Sequence, residues 1–307
     1  MACRLYADGT KAFTPAEIIG NMWRFTDLDA SRQEDSHEFL SGVVQSFCAE
    51  TMADDCDAGG RSFAQNLFEG RQLSRATCAC GYYGDGRLES FHALSLPMEK
   101  DLNASLAAYT SHEELSDYRC ERCDSCVKAS RRLTIHDAPH ILTLQLQRFA
   151  YTKRRELTKI TKALEYPETL DLAPYMSEGR AGPVYRLCGI ICHRSKRATD
   201  GHYVAWVKSS EGRWFEMNDE AVKEISEGQA FLSAKEDAYV LLYARVGDDE
   251  RGEDAAEHAV EAVKREVETV EEVAEWSVVG GRKAKKAQKE VLRMQKRKMG
   301  ETGNASE

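Results

Sequence analysis

Apolar and polar positions recur with two different periods along this chain, and the period changes near residue 130. Upstream, Phe39, Leu40, Val43, Val44, Phe47 and Cys48 are spaced three and four residues apart, which places them on one face of a helix. Asp35 or Ser36 supplies the cap, so the spacing predicts a helix running to about Glu50. Cys48 on that face reads as a small core residue. Downstream the period is two. In ILTLQLQRF, residues 141–149, Leu142, Leu144 and Leu146 alternate with Thr143, Gln145 and Gln147, the pattern of a half-buried strand. Pro139 stands just ahead of that run, where a missing N–H does least harm. VYRLCGIICH (184–193), HYVAWVK (202–208), RWFEM (213–217) and AYVLLYARV (238–246) give four more strands. Their short, turn-rich connections predict an antiparallel sheet.

The pattern breaks near Gly247. Residues 1–246 mix apolar periodicity, turns and aromatics as a globular domain does. Residues 247–307 form a charged tail, acidic and then basic, with Trp276 as its one aromatic. Val260, Val263, Val267, Val270 and Val273 draw a narrow apolar stripe there, so part of the tail is expected to be helical. RKAKKAQKEVLRMQKRK, 282–298, reads either as a solvated tail or as a nuclear targeting signal that could touch RNA. The length of 307 residues allows one large domain or two ordinary ones. A net charge of -9 argues against nucleic acid as the main partner, which leaves only the basic tail for that role. No apolar run is long enough for a membrane span or a secretory signal. An intracellular location, nucleus or cytoplasm, is expected. In a reducing compartment, clusters among the ten cysteines are metal ligands rather than disulfides.

Two constellations carry chemistry. In GHYVAWVKSSEGRWFEMND, residues 201–219, His202 heads one strand and Asn218 and Asp219 end the next. Two strands joined by a short loop would bring an imidazole against a side-chain amide or carboxylate. That is the base and base-orienter half of a Cys-His-Asn/Asp hydrolase. The second constellation is Cys78-x-Cys80 followed about forty residues later by Cys120-x-x-Cys123, with Cys126 extending the second pair. Two close thiol pairs split by a long insert are the layout of a structural zinc site with four cysteine ligands.

Four stretches, in order, resemble the catalytic domain of ubiquitin-specific proteases, the papain-like cysteine deubiquitinases. They are RQEDSHEFL (32–40), the cysteine pairs in SRATCACG and YRCERC, ILTLQLQRF, and the histidine segment with its closing strand AYVLLYAR. The resemblance implies an α+β, papain-like fold of thumb, palm and fingers, with most of the N-terminal thumb missing. The fingers fall at about 70–130 and the palm at about 131–246. It implies hydrolysis of the isopeptide bond after ubiquitin's last glycine, so ubiquitin and ubiquitinated proteins are the expected partners. By the same match His202 is the general base and acid and Asn218 orients it. Asp219 is expected on the other face of the strand, near the histidine or the oxyanion. Asp35 would pair with arginines of the ubiquitin tail, and Gly201 would let the Gly-Gly end pass close to the backbone. Tyr203 and Trp206 read as palm packing.

The family's nucleophile lies in a Gly-Asn-Thr-Cys-Tyr-type box upstream of the segment matching 32–40, and no such box is found in the preceding residues. Cys3 has no helix start around it, and Cys56 lies among carboxylates that would raise its pKa. Cys188 and Cys192 read as palm core. The expectation is therefore that no cysteine of this chain is the nucleophile and that the chain alone is inactive. It would be the C-terminal part of an active enzyme. The alternative is a ubiquitin-binding pseudoenzyme.

Overall fold

The computed structural model describes residues 34–51, 60–124, 126–151, 154–195, 197 and 200–247. All of these lie in one compact unit, Lys11–Gly252. Cys3, Cys56, the valine stripe and the basic stretch 282–298 lie outside the described residues.

In chain order the elements are α1 (Ser36–Thr51), α2 (Phe63–Phe68), β1 (Gly70–Cys78), β2 (Arg87–Phe91), β3 (Leu94–Leu96) and α3 (Leu102–Tyr109). They continue with β4 (His112–Arg119), β5 (Cys126–Asp137), β6 (Ile141–Leu146), β7 (Phe149–Tyr151), β8 (Leu157–Lys159) and β9 (Thr169–Asp171). The last are β10 (Val184–Arg194), β11 (His202–Lys208), β12 (Trp214–Asn218), β13 (Ala221–Ile225), α4 (Glu227–Ala234) and β14 (Ala238–Arg245).

α1 forms where the spacing predicts it. Val44 and Cys48 are buried with Ala64 of α2, and Leu40, Phe47 and Phe68 pack around them. α2 is only six residues long and is fixed by a capping box, in which Ser62 and Gln65 each satisfy the other's backbone N–H.

The five strands expected from the sequence are β6, β10, β11, β12 and β14, and they lie in one eight-stranded sheet in the order β13-β12-β11-β10-β14-β6-β3, with β9 beside β10. All its pairs are antiparallel except β3 with β6. Leu142, Leu144, Leu146, Leu187, Ile190, Trp206, Leu241 and Tyr243 are fully or almost fully buried in its core. Each such side chain contributes roughly 1.5–3 kcal/mol by leaving water. Thr143 is buried too, so β6 is covered on both faces and the alternation in its sequence understates its burial. The expected antiparallel sheet is thus present with one parallel pair added.

A separate four-stranded antiparallel sheet, β2-β1-β5-β4, occupies the region predicted for the fingers. It is thinly buried: β4 shows exposed side chains at six of its eight positions. At its tip stand the cysteines.

Arg148 holds the eight-stranded sheet together from inside. Its side chain is completely buried, and it donates to four backbone carbonyls, those of Ala238, Ile160, Lys162 and Lys235. Burial pulls its pKa below the usual arginine range.

Candidate active site and metal centre

β11 and β12 are neighbours with Ala205 opposite Met217, a register that sets Asn218 level with Val204 and makes it a diagonal, same-face neighbour of His202. Asn218 Oδ1 stands 2.6 Å from Nε2 of His202. The amide oxygen can only accept, so Nε2 carries the hydrogen and Nδ1 is left with its lone pair. The imidazole is partly open, with 44% of its side chain exposed. It can therefore take a proton at Nδ1 while Nε2 stays held.

Asp219 stands near the histidine, as expected, but not on the other face of the strand. β12 ends at Asn218, and Asp219 begins the turn into β13 with a left-handed φ of 50°. The strand's face alternation does not extend to it. The turn swings its carboxylate to the same side as Asn218, with Oδ2 at 3.7 Å from His202 Nε2. The carboxylate is 76% exposed, so water screens this contact.

Asp35 caps α1. Its Oδ1 accepts from the backbone N–H of His37 at 2.7 Å and of Glu38 at 3.2 Å. Its Oδ2 accepts from the hydroxyl of Tyr239 at 2.7 Å. Tyr239 in turn accepts from Gln145 Nε2 at 2.9 Å. Among the described residues three of the four lone-pair positions of the carboxylate are thereby filled, and one on Oδ2 is left. Burial, and then the Asp35 carboxylate, push the Tyr239 phenol far above its ordinary pKa, so it is a donor at any working pH.

Gly201 has a reason that the sequence did not reveal. A Cβ there would collide with the imidazole of His193. His193 is buried and packs against Phe149 and Tyr203, at centroid distances of 5.3 and 4.9 Å. Tyr203 and Phe149 also flank Tyr239. Burial and the neighbouring Lys159 hold the pKa of His193 below the usual histidine value. Trp206 is buried as expected, with the Arg194 guanidinium over its ring.

Cys48, Cys188 and Cys192 are engaged in packing. Cys48 is in the small core of α1 and α2. Cys188 donates to the Leu242 carbonyl and Cys192 to that of Ala234. Burial pushes Cys188 up to about 11 and Cys192 higher still.

At the finger tip the thiols of Cys78, Cys80, Cys120 and Cys123 all lie within 4.8 Å of one another and could hold a metal ion. Tight knuckles bring them together. The Gly81 N–H returns to the Cys78 carbonyl, with Gly81 at φ 81°. The Asp124 N–H returns to the Cys120 carbonyl, with Asp124 at φ 48°. Backbone donors, that of Cys123 first, pull the Cys120 thiol down to about 7. The Cys80 N–H also favours the Cys78 thiolate, but burial and the other thiols push it up to about 12. Four thiolates this close repel one another, so the full set needs a cation among them. Cys126 opens β5, and its side chain lies outside the described residues.

Comparison with known proteins agrees with this layout. Ubiquitin carboxyl-terminal hydrolase 19 of Arabidopsis thaliana is 35% identical over 252 residues, 76% of this chain and 36% of that protein. Ubiquitin carboxyl-terminal hydrolase 42 of Homo sapiens is 32% identical over 276 residues, 82% of this chain and 20% of that protein. Among solved structures, the SAGA DUB module of Ubp8, Sgf11, Sus1 and Sgf73 bound to monoubiquitin matches with a TM-score of 0.65 and 31% identity, over 72% of this chain and 50% of that one. The same module bound to ubiquitin aldehyde matches with a TM-score of 0.61. The chain thus spans about a third or less of these two curated relatives and half of the solved chain. The fold is the α+β, papain-like one of these enzymes, with few helices beside its sheets. Residues 3–243 match the family described as Ubiquitin carboxyl-terminal hydrolase, and the chain belongs to that family, as a ubiquitin-specific protease catalytic domain.

Proposed function

We propose that this chain carries the imidazole half of a thiol deubiquitinase, which hydrolyses the isopeptide bond after the C-terminal glycine of ubiquitin. The observation that carries this reading is the 2.6 Å contact between His202 Nε2 and Asn218 Oδ1. It leaves Nδ1 as the base that takes a proton from a cysteine thiol and later returns it to the leaving lysine amine. The thiolate attacks the carbonyl, the amine leaves, and water releases ubiquitin from the acyl-enzyme. Asp35, through the remaining position on Oδ2, would accept from an arginine of the ubiquitin tail. Asp219 adds negative charge beside the imidazolium as it forms.

The thiol comes from outside the described side chains, because each cysteine whose side chain is described is engaged in packing or in the metal cluster. The same reading assigns Zn2+ to that cluster. A tetrahedral ion with zinc–sulfur bonds of about 2.3 Å sets its sulfurs about 3.8 Å apart. The sulfurs of Cys78 and Cys123 are 3.9 Å apart, and those of Cys80 and Cys120 are 3.7 Å apart. The ion would be structural. Ubiquitin and ubiquitinated proteins are the partners in this reading, and no helix among the described residues is long and apolar enough to cross a membrane. A thiol-rich metal site suits the reducing interior of the cell, nucleus or cytoplasm.

Ubiquitin bearing a thiol-reactive group at its C-terminus tests the proposal. We expect a covalent adduct on a cysteine outside the described set, formed only while His202 is intact. Binding without any adduct would favour the second reading, a ubiquitin-binding pseudoenzyme. Absence of ubiquitin binding would overturn both.

A further inference from the structure

The residue that fixes where His202 stands is not a neighbour in sequence. The segment between β10 and β11 begins after Arg194 and ends at Gly201, and Arg194 pairs with His202 across its neck. Ser195 Oγ donates to Asp200 Oδ1 at 3.1 Å, which draws the neck closed. Gly201 is pressed against the His193 ring. Both sides of the neck therefore depend on where the end of β10 lies.

That end is held by Lys159 of β8. Its side chain has no exposed surface. Its ammonium donates to the carbonyl of His193, to the carbonyl of Ser195 at 2.7 Å, and to Asp237 Oδ1 at 2.8 Å. An ammonium has three hydrogens, and here each has one acceptor. Asp237 closes the arrangement from the other side, since its own carbonyl accepts from the His193 N–H at 3.0 Å. A buried cation costs much to desolvate unless it is fully paired. A stabilising role alone would be served as well by an apolar side chain of similar size. What the charge adds is direction: three fixed acceptors define one position for the strand end.

We infer that Lys159 is a positioning residue for His202, acting through the carbonyls of His193 and Ser195 and through the seat that the His193 ring gives Gly201. The inference rests on the reading of His202 as the base, and the test keeps the two apart.

Amide hydrogen exchange on the full chain needs no turnover. In Lys159→Met we expect exchange at Gly201 and His202 to rise roughly tenfold or more while β1 and β5 are unchanged. In the double variant Lys159→Met, Asp237→Asn, which removes the unpaired carboxylate, the rise should persist. Unchanged exchange at Gly201 and His202 in the single variant, or its return to normal in the double, would overturn the inference. With a fluorogenic ubiquitin C-terminal amide, kcat should fall about 100-fold with KM within about twofold, as expected when a catalytic group is displaced. If the unsubstituted enzyme gives no turnover, the proposed function fails and the exchange result still decides this inference. Should Lys159→Met not fold, the ammonium protons of Lys159 in the unsubstituted chain serve instead. Slow solvent exchange of those protons supports the clamp, and fast exchange overturns it.

Discussion

Asn218 and Asp219 both approach the same nitrogen of His202, yet geometry gives them unequal weight. Asn218 makes a short hydrogen bond that sets the tautomer, whereas Asp219 is farther away and mostly in water. Replacing Asn218 by Ala should lower kcat about 100-fold with little change in KM. Replacing Asp219 by Ala should cost clearly less, because a screened pair contributes only about 0–1 kcal/mol. Steady-state kinetics of the two variants checks the order, and an equal loss would contradict it. Gly201→Ala tests a steric claim. A methyl driven into the His193 ring should destabilise the fold by about 1–3 kcal/mol, read as a lower midpoint in denaturant. Pairing it with His193→Ala should recover part of that loss. His202 and Asn218 were legible in sequence because two strands and a turn bring them together over 16 residues. His193, which faces Gly201, and Lys159 were not, since their contacts cross between strands that only the fold brings side by side.

The two sheets were legible to different degrees for one physical reason. β6, β10, β11, β12 and β14 face a core, so each carries apolar residues that can be read, alternating with polar ones in β6 and nearly continuous in β14. β4, with the sequence HEELSDYR, is exposed on nearly every position, and such a strand leaves no apolar period to read. Only its cysteines betrayed the finger region. A sheet with so little core relies on its tip. Removing metal with a chelator should therefore loosen the cysteine ends of β1, β4 and β5 while the eight-stranded sheet keeps its protection. Native-state hydrogen exchange before and after chelation measures this, alongside metal analysis, which should find one zinc per chain. Uniform loss of protection, or none, would contradict the account.

At the scale of the whole domain, the buried cations Arg148 and Lys159, the buried His193 and the less buried His37 and His140 bear on stability. Arg148→Met would take a donor from four carbonyls, of which that of Lys235 keeps the Leu164 N–H, and the cost should exceed about 3 kcal/mol. A denaturant midpoint close to that of the parent would argue against it. His37, His140 and His193 all have their pKa lowered from 6.5, chiefly by burial. Their neutral forms are favoured in the folded chain, so above about pH 7 they carry no penalty. As pH falls through 6.5 the unfolded chain binds protons first, and stability is lost on acidification. The thermal midpoint should therefore decline from about pH 7.5 to about pH 5.5, before carboxylates titrate. A flat profile would contradict these assignments.

The most direct test of the central claim is His202→Ala, with turnover of a ubiquitin C-terminal amide and ubiquitin affinity measured together. Turnover should fall by about a thousandfold or more while affinity stays within about twofold. Unchanged turnover would remove His202 from the chemistry and with it the reading of this chain as the base-bearing part of a deubiquitinase.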